Sequence, residues 1–308
     1  MTPFCAAVDW GTSAFRLWLL AEDARVLAER RSDEGMIRAG QTGFDAVLEK
    51  HLADLGAWDG LPVVVCGMAG AKQGWREAGY LDTPADLGAL TGRALAVEGY
   101  GRDVRILPGI AQRDAGFPDV MRGEETQLLG LAADGVRSGL VCMPGTQSKW
   151  VVLRDGAVKG FSTYMTGELF AVLSRHSILR LAVADAAEPA PGDPAFLAAV
   201  AAARDNPQAV SNLLFSLRSS QLLGFSSAAE GAARLSGTLI GLELAGALAR
   251  HGPATSVVLA GSGDLGALYV SALEASGIAV DRRPADEAVL RGLWSAARAF
   301  WAPASGES

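Results

Sequence analysis

Ala6-Ala7-Val8-Asp9-Trp10-Gly11-Thr12-Ser13-Ala14-Phe15-Arg16-Leu17-Trp18-Leu19 is the most informative segment of the chain. It reads as an apolar strand, a tight Gly-Thr turn and a second, alternating strand. The pattern returns as Leu140-Val141-Cys142-Met143-Pro144-Gly145-Thr146-Gln147-Ser148-Lys149-Trp150-Val151-Val152-Leu153. Aligning Gly11-Thr12 with Gly145-Thr146 sets Leu17 on Val151 and Leu19 on Leu153, so the apolar alternation stays in phase. Two such hairpins, one early and one mid-chain, predict two related lobes facing each other. A phosphate held between the two turns would account for both.

Composition sets the frame. The chain has 308 residues, enough for two domains of about 150 residues each. Half the residues are apolar, so a sizeable core is available. The net charge is −7 and no block of Lys and Arg occurs, which argues against a general nucleic-acid binder. An anionic small molecule would have to be met by a local cluster of cations. The N-terminus has no secretory pattern, because Asp9 interrupts the apolar stretch early. No membrane span is expected either, since Glu243 breaks the most apolar run, 239–248. Cys5, Cys66 and Cys142 lie in apolar strand-like runs without a CxxC, as buried reduced thiols of a cytoplasmic protein do. His51, His176 and His251 show no ligand spacing, so zinc is not expected.

The first lobe, 1–137, opens with strands at 4–9, 15–21 and 25–31. A helical period follows at Phe44, Val47, Leu48, Leu52 and Leu55. A strand at 62–66 runs into Gly67-Met68-Ala69-Gly70, the kind of strand-end loop where α/β folds bind ligands. A helix over 87–97, a strand over 104–107 and a helix over 124–134 complete the lobe. The second lobe, 138–308, restarts with the repeat hairpin and a third strand at 158–161. Thr166 caps a helix over 167–181, and 182–194 reads as a loop. Helices over 195–204, 209–217 and 231–251 come next. A buried strand at 256–260 leads through Gly261-Ser262-Gly263 into a helix over 265–276. The last helix, over 285–299, is amphipathic and free to pack back on the first lobe.

Four motifs carry chemistry. Asp9 ends a strand, where a carboxylate holds Mg²⁺ directly or through water. Gly11, Thr12 and Ser13 offer turn N–H and hydroxyl groups to phosphate oxygens, although Asp-x-Gly-Thr also makes an ordinary hairpin turn. Gly145 and Thr146 repeat the offer, and Lys149 adds a point charge that would otherwise be a solvated strand lysine. Gly261, Ser262, Gly263 and Asp264 place Gly-x-Gly at a helix start, which suits a ribose or phosphate as well as a plain strand-to-helix turn. Met121-Arg122-Gly123-Glu124-Glu125-Thr126-Gln127 puts two carboxylates at a helix start. They either complement the helix dipole, or one of them is a general base beside an anion-binding Arg122.

Together these pieces resemble the actin/hexokinase/Hsp70 superfamily of two-lobed phosphotransferases. The resemblance narrows on Val8-Asp9-Trp10-Gly11-Thr12-Ser13, Gly67-Met68-Ala69-Gly70 with Gly74-Trp75, Met121-Arg122-Gly123-Glu124-Glu125-Thr126-Gln127-Leu128, Met143-Pro144-Gly145-Thr146 with Lys149-Trp150, and Met165-Thr166-Gly167-Glu168-Leu169. In that order they look like the 2-dehydro-3-deoxygalactonokinase family. The resemblance implies an α/β fold of two RNase H-like, actin-like ATPase lobes with a nucleotide cleft. It also implies ATP-dependent phosphorylation of 2-dehydro-3-deoxy-D-galactonate at its 6-hydroxyl, in galactonate catabolism. ATP and Mg²⁺ are the implied cofactors. Asp9 would hold the metal, and Gly11, Thr12, Ser13, Arg16, Gly145 and Thr146 the phosphates. Gly261, Ser262, Gly263 and Asp264 would take the adenosine. Met68, Gly70, Trp75, Arg122 and Lys149 would meet the sugar acid, with Glu125 or Glu124 as the base. Pro144 stands where many relatives of the superfamily carry Asp, which leaves Asp9 as the leading metal ligand. Two alternatives share the fold: an exopolyphosphatase-like hydrolase, whose Gly-x-Glu-Glu the 123–125 motif resembles, and a non-catalytic sugar-sensing regulator. The implied partners are the sugar acid and ATP, with neither nucleic acid nor membrane, and a homodimer is compatible with the sequence.

Overall fold

The computed structural model describes residues 2–302 except Asp185, Ala187 and Glu188. Those three positions of the predicted 182–194 loop, and 303–308, lie outside the described residues. The chain divides into two compact units: Met1–Ser138 with Leu153–Gly160 and Asp286–Ser308, and Gly139–Val152 with Phe161–Ala285.

In the first unit, β1 (Cys5–Trp10), β2 (Phe15–Leu20) and β3 (Val26–Ser32) form an antiparallel meander. Helices α1 (Met36–Thr42) and α2 (Phe44–Asp54) return the chain to β4 (Val63–Gly67), which pairs parallel to β1. After β5 (Tyr80–Asp82), β6 (Ala85–Asp86), α3 (Ala89–Gly92) and β7 (Leu95–Ala96), β8 (Val104–Ile106) adds in parallel to β4. The main sheet therefore runs β3-β2-β1-β4-β8-β7. β9 (Gly109–Gln112) and β10 (Asp119–Met121) build a small sheet with β5, ordered β10-β9-β5. Helix α4 (Glu124–Ala133) follows β10. Phe44, Val47, Leu48 and Leu52 of α2 close over Val8, Trp10, Phe15 and Leu17 in one core cluster. Each such side chain removed from water contributes about 1.5–3 kcal/mol before its entropy is counted.

The second unit repeats the plan. β11 (Gly139–Met143), β12 (Ser148–Arg154) and β13 (Ala157–Tyr164), of which residues 153–160 are counted with the first unit, are followed by α5 (Thr166–His176), α6 (Pro194–Asp205), α7 (Val210–Leu222) and α8 (Ala228–His251). β14 (Ser256–Ala260), α9 (Gly263–Ala275) and β15 (Ala279–Arg283) complete it. Its strands run β13-β12-β11-β14-β15. In both units the third, second, first and fourth strands of the sheet adjoin in that order, followed by β8 in the first unit and by β15 in the second. That shared order is the RNase H-like topology, and the two 11–14 and 144–147 turns occupy the same place in it. Helix α10 (Ala285–Trp301) ends the fold, and from Asp286 it belongs to the first unit.

Three expectations change. Thr166 does not cap its helix: it is the first residue of α5, which ends at His176, and its hydroxyl donates to Glu243. The predicted helix over 87–97 is one turn, α3, followed by the strand β7. Leu87 and Leu90 have the helical spacing, but Gly92 ends the turn, and Leu95 and Ala96 pair with Ile106 and Arg105 instead. The apolar run around Glu243 belongs to α8, a helix long and apolar enough to cross a membrane by length and composition. It is the central helix of the second unit, with 67% of its most apolar window buried. Cys5, Cys66 and Cys142 are buried and unpaired.

Candidate active site

Strand register builds the site of the first unit. Asp9 pairs with Arg16 of β2 on one side and Cys66 of β4 on the other. Cross-strand neighbours share a face, so the Asp9 carboxylate meets the Arg16 guanidinium in an ion pair and accepts from the Cys66 thiol at 3.8 Å. Arg16 also pairs with Asp286 at the start of α10, which Arg31 approaches at 3.4 Å. The Arg16 guanidinium, expected at a phosphate, thus already pairs with two carboxylates, Asp9 and Asp286. Thr12 and Ser13 are exposed at the tip of the β1–β2 turn. The turn is held from behind, where Met36 N donates to Gly11 O at 2.9 Å and Ile37 N to Thr12 O at 3.2 Å.

The end of β4 brings the acidic helix start to the same place. Gly67 has φ +85° and Gly123 φ +106°, a region that only glycine enters readily. A Cβ on Gly67 would press on the Trp10 carbonyl at 2.6 Å, and one on Gly123 would lie 3.6 Å from Gly67 Cα. The N-terminus of α4 thus packs onto the ends of β1 and β4. Cys66 feels both Asp9 and Glu125, whose charges add to burial in pushing its thiol well above the ordinary range.

The two carboxylates differ sharply in setting. Glu125 is fully buried; its Oε2 accepts from Gly123 N at 2.6 Å and its Oε1 from Thr126 Oγ1 at 3.1 Å. Burial, then the charge of Glu124, raises its pKa from 4.5 to about 8. Glu124 is half-buried, and its Oε2 accepts from Arg122 N at 3.1 Å. Arg122 lies with its guanidinium 4.4 Å over the Tyr80 ring, and its Nη2 donates to Gly79 O at 2.8 Å. Its Nε and Nη1 are buried without an acceptor among the described residues. Such donors cost roughly 1–3 kcal/mol each unless something accepts from them. Gly70 makes room for this arrangement, since a Cβ there would come 2.7 Å from Arg122 Nη1. Met68, half-buried, opens the short turn Met68–Gly70 beside it.

Trp75 is a correction. It is 6% exposed and packs with Trp10 (6.1 Å), Phe44 (6.3 Å, near-parallel) and Tyr100 (5.3 Å), so it supports the 67–78 loop from within and offers no face to a ligand. Lys149 is buried at the start of β12, just after the Gly145-Thr146 turn, and is not a solvated strand lysine. Sequence reasoning also missed Cys66, Tyr80 and Asp286 as neighbours of the site.

In the second unit, Gly145 and Thr146 form the β11–β12 turn, with Thr146 exposed. Ser262, Gly263 and Asp264 are exposed at the start of α9, and the 261–262 segment is anchored by Gly261 N to Arg283 O at 3.1 Å and by Ala285 N to Ser262 Oγ at 3.1 Å. Beside them a cavity of about 100 Å³ is walled by Phe170, Leu239, Ile240, Leu265 and Leu268, with Thr166, Ser236, Asp264 and Tyr269 as polar points. Among the described residues, no group of three or more His, Cys, Asp and Glu side chains is placed to hold a metal ion.

A model of the 2-keto-3-deoxy-galactonokinase family matches residues 9–296. The chain belongs to this family. A protein of Rhizobium meliloti (strain 1021), named as a probable 2-dehydro-3-deoxygalactonokinase, is 60% identical over 97% of the chain and 98% of its own length. The 2-dehydro-3-deoxygalactonokinase of Escherichia coli (strain K12) is 34% identical over 97% of the chain and 99% of its own length. A Sinorhizobium meliloti crystal structure, assigned as a candidate 2-dehydro-3-deoxygalactonokinase, superposes with a TM-score of 0.95 at 59% identity, covering 97% of the chain and all of that protein. Membership in this kinase family extends over both units.

The buried carboxylate makes a prediction of its own. Because Glu125 has its pKa raised from 4.5 to about 8, folding takes up a proton there between those values, so its contribution to stability declines as pH rises through that window. Thermal melts should therefore favour Glu125→Gln over the parent increasingly from pH 5 to pH 8. Parallel pH profiles for the two proteins would contradict the buried, proton-retaining state.

Proposed function

We propose that this protein is an ATP-dependent kinase that phosphorylates 2-dehydro-3-deoxy-D-galactonate on its 6-hydroxyl, in the cytoplasm and within D-galactonate catabolism. The observation that carries this reading is Arg122: two buried guanidinium N–H donors without an acceptor, adjoining two carboxylates at one helix start. A 2-keto acid brings the carboxylate that such donors lack, and charge-assisted hydrogen bonds to guanidinium are among the strong ones. Family membership supplies the reaction class.

Roles follow from burial and hydrogen-bonding capacity. Arg122, with Gly70 leaving it room and Met68 beside it, binds the acid. Glu124 accepts the proton of the 6-hydroxyl, because it is the member of the pair that solvent reaches. Glu125, with both oxygens engaged by Gly123 and Thr126, fixes the helix start. Gly11, Thr12 and Ser13 of the first unit, and Gly145 and Thr146 of the second, are the phosphate contacts. Gly261, Ser262, Gly263 and Asp264 take the ribose, and the adjoining apolar cavity takes the base. Phosphoryl transfer asks little covalent chemistry of a protein; positioning and charge neutralisation supply most of the rate.

Asp9 fits Mg²⁺ as a single hard oxygen donor at a strand end, the donor set of an ion held mostly by nucleotide phosphates and water. When bound, Mg²⁺ would neutralise charge on the transferring phosphate. Arg16 is the cation that pairs with the Asp9 carboxylate and orients it. Asp9→Asn is expected to raise the Mg²⁺ concentration for half-maximal activity about tenfold. An unchanged Mg²⁺ titration would remove Asp9 from the metal site.

Product analysis tests the whole reading. ADP release should depend on the sugar acid, and phosphorus NMR should place the new phosphate on O6. Phosphate released from ATP or polyphosphate without any acceptor would support a hydrolase, and binding of the sugar acid without turnover would support a sensor.

A further inference from the structure

The second unit buries a charge that the apolar pattern of α8 does not call for. Glu243 is 1% exposed. Its Oε1 accepts from Trp150 Nε1 of β12 at 2.8 Å. Its Oε2 accepts from Tyr269 OH of α9 at 2.6 Å and from Thr166 Oγ1 at the start of α5. Ser148 Oγ, at the start of β12, lies 2.8 Å from the same tyrosine hydroxyl. One carboxylate on α8 thus gathers donors from three other elements. Burial pushes its pKa up, and these hydrogen bonds pull it back. An apolar side chain of equal volume would avoid the desolvation altogether, so the network matters for what it fixes in place.

What it fixes is the surroundings of the Gly145-Thr146 turn. Ser148 and Trp150 lie just after that turn in β12. Thr166 precedes Gly167, which packs so tightly on the turn that a Cβ would come 2.6 Å from Gly145 O. Glu168 N donates to Thr146 O at 2.9 Å, and Gln147 Nε2 to Glu168 Oε2 at 2.7 Å. Thr166 and Tyr269 also line the cavity of about 100 Å³.

We propose that Glu243 is a positioning residue for the nucleotide: acting through Thr166, Trp150 and Tyr269, it holds the Gly145-Thr146 turn and the adjoining cavity in one preorganised geometry. The inference rests on the reading of that turn and cavity as the nucleotide site of the second unit. Preorganised contacts bind more tightly because less freedom is lost on binding. Glutamine at this position keeps the shape but turns one acceptor into a donor facing Trp150, Thr166 or Tyr269, all of which donate to Glu243.

Calorimetric titration of ADP into the full-length parent, Glu243→Gln, Tyr269→Phe and Thr146→Val proteins tests this, alongside KM values for ATP and for the sugar acid. Thr146→Val should weaken ADP, as loss of a direct phosphate contact does. Glu243→Gln should weaken ADP and raise KM for ATP about tenfold, with KM for the sugar acid within about twofold. Tyr269→Phe should shift the same quantities in the same direction by less. Normal ADP affinity in Glu243→Gln, with Thr146→Val weakened, would overturn the positioning role and leave a purely structural one. Normal ADP affinity in Thr146→Val would overturn the nucleotide reading of the turn, and the proposal with it. If Glu243→Gln does not fold, Tyr269→Phe decides: affinity equal to the parent while Thr146→Val is weakened overturns the proposal.

Discussion

Replacing Glu124 with glutamine is expected to lower kcat about 10²–10³-fold, with KM for ATP and for the sugar acid each moving less than about threefold. The side chain keeps its size and its hydrogen bond from Arg122 N, but it no longer accepts a proton. Loss confined to kcat is the signature of a group acting mainly in the transition state. The same change at Glu125 should cost less than about tenfold in kcat, because a fully buried carboxyl with both oxygens engaged supports the helix start. Steady-state kinetics of the two variants separate the roles. A reversed order of effects would make Glu125 the base.

Arg122→Ala is the second large effect. It should raise KM for the sugar acid about 100-fold and leave KM for ATP nearly unchanged. The alanine removes the two guanidinium donors that lack an acceptor in the described structure, and it leaves Tyr80 without its stacked cation. Added guanidinium ion should restore part of the loss by refilling the space against Gly70. Competition binding with the sugar acid gives the same comparison without turnover. An equal loss of ATP and sugar-acid affinity would indicate collapse of the loop and not loss of a specific contact.

Much of this molecule is legible in its sequence because its two hairpins carry period-two alternation in phase. Asp9, Arg16 and Cys66 then become neighbours by register alone. The topology of the second unit follows from the same alignment. The 87–97 segment misleads because two leucines at helical spacing cannot reveal that Leu95 and Ala96 have a strand partner in β8. The 3- and 4-residue strands of the small sheet are too short to show a period.

At the site, Glu124 and Glu125 look interchangeable in the chain. Their difference arises from which one α4 turns inward, and that depends on packing contributed by distant segments. Gly130 of α4 and Gly292 of α10 lie against each other's helix backbone, which seats α4 against the end of the chain. Trp75 follows a glycine-rich loop and so looks like a ligand contact, but its partners Trp10, Phe44 and Tyr100 come from three other places in the sequence. Glu243 is visible as a lone charge in an apolar helix. Its partners at 150, 166 and 269 are too scattered to be read beforehand.

In the proposed reaction Arg122 recognises the carboxylate of the acid whose far hydroxyl is phosphorylated. The most direct measurement is a cycle of kcat/KM values for the sugar acid and its C1 carboxamide, in the parent and in Arg122→Ala. The parent should prefer the acid by about 100-fold, and the variant by less than about threefold. Equal preference for the acid in both proteins would place carboxylate recognition elsewhere than Arg122.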